Sequence, residues 1–487
     1  MHFVGPGWLV SIAYVDPGNY QSDILSGAQA RYALLFVIWW TSLLSIYVQV
    51  LCVRLSYYGN LNLAQAQAKV GTTFLSGRRA DWHRYLNWFI AEFSTVLTDL
   101  PTVIGIGIAL NIFVGFPYYV GVILSLFTTM LFLSLQQYGM RVLETMILGF
   151  VAIMSIALFV EMAKVGADTG ELLKGWSIGF AEVQRDQLFA IAGIIGSVVM
   201  PHNLYLHSAI CQERQVAPQH REAATKYGSL EPVLPIIFSF FVNMAVVAVA
   251  AEKLYDPNGD GGVKHEVVGI TTFADELSSQ NAILFGIALL AGGQSSAITT
   301  TFTGQYVMDG FLQIQLPMRV RAVATRLAAI LPCVLVSVFV PRHLNQLVNI
   351  VNALLSLLLP FAFTPLVKYN CSAQVMGDHA TRGFEKIALY SFAFLVWFIN
   401  ALTLSVEGGG FFGTWRGNST STGGYIVILI SEIAAQVFYA AWNLDCVFAR
   451  IDTRNGLYTD TPVEAATADL RLPIDLGDDG TEEREII

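Results

Sequence analysis

Two short stretches of this chain pair a proline with side chains that hold metal ions, and both lie inside apolar runs. In the first, Asp16 and Asn19 flank Pro17 and Gly18. A carboxylate and an amide oxygen three residues apart are oxygen ligands for a divalent cation. In the second, Met200 stands before Pro201, His202 and Asn203. Met200 offers a thioether, and Pro201 lacks the N–H that would engage the carbonyl of Ser197, four residues earlier, so that backbone oxygen is freed. Sulfur is a soft donor, and a mixed oxygen and sulfur site favours Mn2+, Fe2+ and Cd2+ over Ca2+ and Mg2+, which take oxygen alone. Plainer readings exist for each: a proline kink with Asp16 paired to an internal base, and Met200 as core filling. A carboxylate at membrane depth is costly and as a rule functional. Paired interruptions in two halves of a membrane chain point to a binding site. Together these weigh toward ligation.

The elements that must position these groups are membrane helices. The chain has 487 residues, of which 54% are hydrophobic and 13% charged, against about 25% charged in a soluble domain. Twelve apolar runs, near 4–27, 33–55, 84–113, 117–137, 140–164, 187–211, 228–252, 270–305, 322–341, 344–367, 384–406 and 424–449, each reach or approach the ~20 residues of a spanning helix. The two broken stretches fall in the first and sixth runs. With the N-terminus inside, nineteen of the 27 Lys and Arg fall on the cytoplasmic side and eight outside, the asymmetry of a chain with both termini in the cytoplasm. This topology puts the sequon Asn418-Ser419-Thr420 outside, as a glycosylation site, and Asn370-Cys371-Ser372 inside. Residues 1–450 read as one transmembrane domain. Residues 451–487, with ten acidic residues against three Arg, read as a disordered acidic cytoplasmic tail and carry most of the net charge of −9. The five cysteines show no pairing or metal-ligand spacing. The first run lacks the basic start and cleavage site of a signal peptide, and begins so near Met1 that the cytoplasmic N-terminal arm is absent or truncated. There is no GxxxxGK[ST] loop, which excludes the usual ATP-driven pump, and no nucleophile–base constellation, which argues against a membrane enzyme.

These residues resemble the NRAMP family of divalent-metal transporters. The likeness is carried by Ser11 to Ser26 around Asp-Pro-Gly-Asn, Thr98-Asp99-Leu100, the run MPHNLYLHS from Met200 to Ser208, GQSSAITTTFTGQYVMDGF from Gly293 to Phe311, and Leu359-Pro360-Phe361-Ala362. It spans the first ten helices. The resemblance implies an all-α fold of two inverted five-helix repeats, about 1–165 and 187–370, with helices 1 and 6 unwound at the centre and two further helices over 384–450. It implies Asp16, Asn19, Met200, the Ser197 carbonyl and Asn352 as metal ligands. It implies His202, His207, Asp99 and Glu92 in the proton path, with Arg214 and Arg326 toward the cytoplasmic vestibule. Where the family usually has Ala-Glu after Thr-Asp-Leu, this chain has Pro101-Thr102. Leu358 replaces a polar residue of the tenth helix, and Ser197 replaces alanine.

The expected function is import of Mn2+ or Fe2+ into the cytosol coupled to protons, with Cd2+ accepted, through the plasma membrane or an endosomal or vacuolar membrane. Metal ions and protons are the expected partners along with the lipid bilayer. No resident cofactor and no nucleic acid is expected, and the sequence names no protein partner. The alternatives are altered ion choice, uncoupled metal uniport, and a metal sensor on a transporter scaffold.

Overall fold

The computed structural model describes residues 14–69, 80–135, 140–214, 216–256, 268–314, 316–405, 411–412, 422–448 and 451. Asn418 and the acidic tail lie outside the described residues. The chain is a bundle of helices: α1 (Pro17–Ala30), α2 (Leu35–Gly59), α3 (Leu63–Lys69), α4 (Ala80–Val114), α5 (Tyr118–Leu135), α6 (Met140–Val165), α7 (Thr169–Ile178), α8 (Leu188–Val199), α9 (Pro201–Glu213), α10 (Arg221–Leu230), α11 (Val233–Leu254), α12 (Ile270–Glu276), α13 (Ser279–Leu312), α14 (Met318–Phe339), α15 (Leu344–Leu358), α16 (Pro360–Asn370), α17 (Ala373–Met376), α18 (Gly383–Ser405) and α19 (Thr422–Phe448). Over its described residues, each of the twelve apolar runs falls on one helix or a broken pair, and the fold class is all-α as expected. Among the described residues, nine helical stretches are long and apolar enough to cross a membrane. On α19 the side chains of Val427, Ile430 and Val437 are more than 60% exposed, a surface that only lipid would cover.

Two boundaries differ from the sequence reading. The run at 270–305 is not one helix: α12 ends at Glu276, and α13 then continues to Leu312. In the first run, Pro17-Gly18 is not itself unwound. Both of these residues are helical, and the described non-helical stretch is Tyr14 to Asp16. Proline at the first helical position costs no hydrogen bond, and the Asp16 carboxylate caps the helix by accepting the Asn19 backbone N–H at 2.8 Å. Gly18 therefore does not serve through a positive φ.

Three prolines interrupt the site helices, and the chain treats two of the breaks differently. Pro360 cannot bond the carbonyl of Ser356, and Asn400 of α18 repairs the loss: its Nδ2 donates to Ser356 O at 2.7 Å while Ser356 Oγ donates to its Oδ1 at 2.7 Å. Freed backbone groups at membrane depth are tolerated when neighbouring helices satisfy them in this way. Pro201 frees the Ser197 carbonyl, and among the described residues no side chain donates to it.

The short α3 is fastened from both sides. Asn62 caps it, accepting the Gln65 N–H at 2.9 Å, and Asn62 Nδ2 donates to Gln212 Oε1 of α9 at 2.8 Å. The Leu63 N–H donates to Ser208 Oγ at 3.0 Å, the Tyr205 hydroxyl donates to Gln67 Oε1 at 3.0 Å, and Gln67 Nε2 donates to the Phe361 carbonyl of α16 at 2.9 Å.

Candidate metal site

The site is built where α1, α8 and α15 pack together. Gly105 of α4 and Gly292 of α13 hold the α1 break. A Cβ at Gly105 would lie 2.4 Å from Pro17 Cγ, and one at Gly292 would lie 2.6 Å from the Val15 carbonyl oxygen. Neither glycine has room for a side chain, so the unwound backbone is seated directly on two helices. Asp16 is fully buried, and its Oδ1 accepts from Asn19 at both the backbone N–H and Nδ2, at 2.8 and 2.9 Å. No ion pair engages it among the described residues.

Asn352 reaches α1 from α15. Its Nδ2 donates to the Gly18 carbonyl at 2.8 Å and to Ser22 Oγ at 2.9 Å. This leaves Asn352 Oδ1 buried with no donor among the described residues. A Cβ added at Gly18 would sit 3.4 Å from both Asn352 Oδ1 and Asp16 Oδ1, so the amide oxygen and the carboxylate converge over this glycine. These are ordinary contact distances, so Gly18 lies directly beneath both oxygens without itself being the only residue that fits. Met200 breaks the α8–α9 pair with φ 30° and ψ 106°, a backbone that residues bearing a Cβ rarely adopt. Its side chain is buried, as is Ser197 in the last turn of α8. Among the described residues, Asn352 Oδ1 has no donor and Asp16 has no ion pair; carboxylate, amide and carbonyl oxygens with a thioether are donor types that suit a borderline divalent metal.

The titratable residues expected around the site divide into two groups. His202 Nδ1 lies 3.1 Å from Thr98 Oγ1, whose own hydrogen goes to the Ser94 carbonyl at 2.9 Å. Nε2 of His202 is left buried without a partner among the described residues. The next residue along α4 is Asp99. Its Oδ1 accepts from Thr300 Oγ1 at 3.0 Å, and its Oδ2 lies 3.3 Å from Arg326 Nη1. Arg326 is itself buried, at 1% exposure, and so lies inside the bundle rather than in a vestibule. Glu92 bonds Arg321 one flank further along α4. Thr102 is fully buried, with its hydroxyl turned back to the Thr98 carbonyl at 3.4 Å.

His207 belongs to a separate chain of hydrogen bonds. Its Nδ1 donates to Gln49 Oε1 at 2.6 Å, Gln49 Nε2 donates to Tyr14 Oη at 2.9 Å, and Tyr14 and Ser45 share a 2.5 Å bond beside the Val198 carbonyl. The second histidine is thus tied through α2 to the residues flanking both breaks. Arg214 caps the C-terminus of α9, the end opposite Met200, and lies 3.9 Å from Glu231. Sequence reasoning missed Gln49, Thr300 and Asn203 as parts of this network. Gln49 is a buried amide in an otherwise apolar run, which is the signal that would have found it.

Oxygen and sulfur ligand types at breaks in membrane helices are the arrangement of an ion transporter. The profile of the natural resistance-associated macrophage protein-like family matches residues 7–406. The chain belongs to this Nramp family of metal transporters, whose members move divalent metal ions. It is 35% identical to the metal transporter nramp1 homolog of Dictyostelium discoideum over 77% of this chain and 69% of that protein. It is 34% identical to the divalent metal cation transporter MntH of a Nostoc species over 82% and 90%. Among solved structures, the Eremococcus coleocola manganese transporter superposes with a TM-score of 0.75 at 26% identity, covering 91% of this chain and 94% of that one.

Proposed function

We propose that this protein imports Mn2+ or Fe2+ into the cytosol, with proton movement coupled to the metal, and that Asp16, Asn19, Met200, the Ser197 carbonyl and Asn352 hold the ion in transit. The observation that carries the reading is the convergence over Gly18 of the Asp16 carboxylate and Asn352 Oδ1, which has no donor among the described residues, with Ser197 and Met200 buried at the second break. Soft sulfur disfavours the abundant hard cations, and a carboxylate balances part of the metal charge in a low-dielectric setting. A manganese substrate is also what the solved relative's name gives for that protein.

Proton movement rests on His202 and Asp99. The imidazole of His202, two residues after Met200, has an Nε2 with no partner among the described residues and can take up a proton, and His202 and Asp99 are joined through adjacent residues of α4. The Asp99–Arg326 pair offers an onward carboxylate whose charge is held by a cation. Thr102 supplies no titratable group where relatives of the NRAMP pattern have glutamate, so the coupling is expected to be loose. Simultaneous metal and proton flux in proteoliposomes tests both parts: metal uptake accelerates at acidic outside pH, with a component that carries no proton. Thr102→Glu raises the proton-to-metal ratio. Metal uptake without proton movement at any pH refutes the symport and leaves a uniporter.

A further inference from the structure

Asn203 stands in the first turn of α9, fully buried, and its two amide atoms have different surroundings. Its Nδ2 donates to Met200 Sδ at 3.6 Å. Its Oδ1 has no donor among the described residues. Helical side chains lean toward the N-terminus of their helix, so the third residue of α9 naturally covers Met200, which caps that end. Methionine has three rotatable bonds and a thioether that adopts many positions. Met200 also sits on a rare backbone conformation at a break, where no regular helix fixes its direction.

We infer that Asn203 is a specificity-determining positioning residue: its amide N–H holds the Met200 sulfur in one orientation, so that the site presents an ordered soft ligand to the metal. The N–H occupies one sulfur lone pair and leaves the other for the ion. A cation that draws much of its affinity from sulfur gains from this ordering, and one bound mainly by oxygen gains little. The inference rests on the reading of Met200 as a ligand.

Calorimetry of Mn2+ and Cd2+ binding to the purified full chain tests it, using Asn203→Leu, Met200→Ala and the double variant. Asn203→Leu is nearly isosteric and leaves no polar atom orphaned. It weakens Cd2+ about fivefold, the effect of one hydrogen bond, and Mn2+ less than about twofold. In the Met200→Ala background the same substitution changes Cd2+ affinity less than about twofold, because coupled residues are non-additive. Equal losses for the two metals, no loss for Cd2+, or an undiminished Cd2+ loss when Met200 is absent each overturn the positioning role and leave Met200 as a ligand. Unchanged Cd2+ affinity in Met200→Ala alone removes Met200 from the site, and the inference with it. If Asn203→Leu fails to fold, Asn203→Ser withdraws the donor from the sulfur and carries the same comparison.

Discussion

Gly196 of α8 gives the sharpest test of how the site is assembled. A Cβ at this position would lie 2.0 Å from the Asn352 carbonyl oxygen and 2.6 Å from the Ser356 nitrogen, both backbone atoms of α15. Ordinary contact begins near 3.4 Å, so Gly196→Ala forces α8 and α15 more than an ångström apart. Overpacking of this kind costs about 1–3 kcal/mol, and backbone obstacles put it near the upper end. The displacement acts on Asn352 itself. Loss of its donations to Gly18 O and Ser22 Oγ, at about 1 kcal/mol each, corresponds to roughly 30-fold in metal affinity if both bonds order the bound site. Gly193→Ala is the control: its Cβ meets nothing closer than Ser22 Oγ at 3.7 Å and Asn352 Cβ at 3.9 Å. It therefore stabilises by about 0.4–1 kcal/mol through the unfolded chain and leaves affinity intact. Thermal unfolding and Mn2+ calorimetry on the two variants read the difference. Equal behaviour of the two alanines would refute the close α8–α15 approach as the frame of the site.

Asp16→Ala nearly abolishes Mn2+ binding while the protein still elutes as a folded species; calorimetry showing parental affinity removes Asp16 from the ligand set. Met200→Ala keeps reduced Mn2+ transport, loses Cd2+ affinity most, and lets Ca2+ compete better, as competition assays in proteoliposomes will register. Asp99→Asn leaves Arg326 buried without its counter-charge and destabilises by about 3–5 kcal/mol. Adding Arg326→Met should recover most of that loss in thermal unfolding, and no recovery would mean that the pair is not a unit.

The helices were legible because a spanning segment must be apolar for about 20 residues, whatever it packs against. The two breaks were legible because proline removes a donor wherever it stands. What the first break does was less so. Read locally, Asp-Pro-Gly-Asn is a turn with a glycine free to take positive φ. In three dimensions Pro17 opens a helix, and the Gly18 carbonyl instead accepts from Asn352, 334 residues away. A separation of 44 residues likewise hid the fate of the Ser356 carbonyl, which depends on Asn400 in a helix of the C-terminal pair. Arg326 is as basic as any residue of the vestibule in sequence, and only the packing of α14 on α4 shows it buried against Asp99. Ligand types are local chemistry. Orphaned atoms are a property of the assembly.

The fastening of α3 has a consequence for observing this protein in motion. Seven residues are too few to hold a helix in water by themselves, so α3 persists because Tyr205, Ser208 and Gln212 grip it from α9 and Phe361 grips it from α16. α9 is 13 residues, or about 20 Å, long, and carries Met200 at the opposite end. Any swing of that rod unclasps α3 and exposes its amides to solvent. Deuterium uptake at residues 63–69 would then keep time with the broken helices, from a segment that touches no metal and that no ion can directly protect.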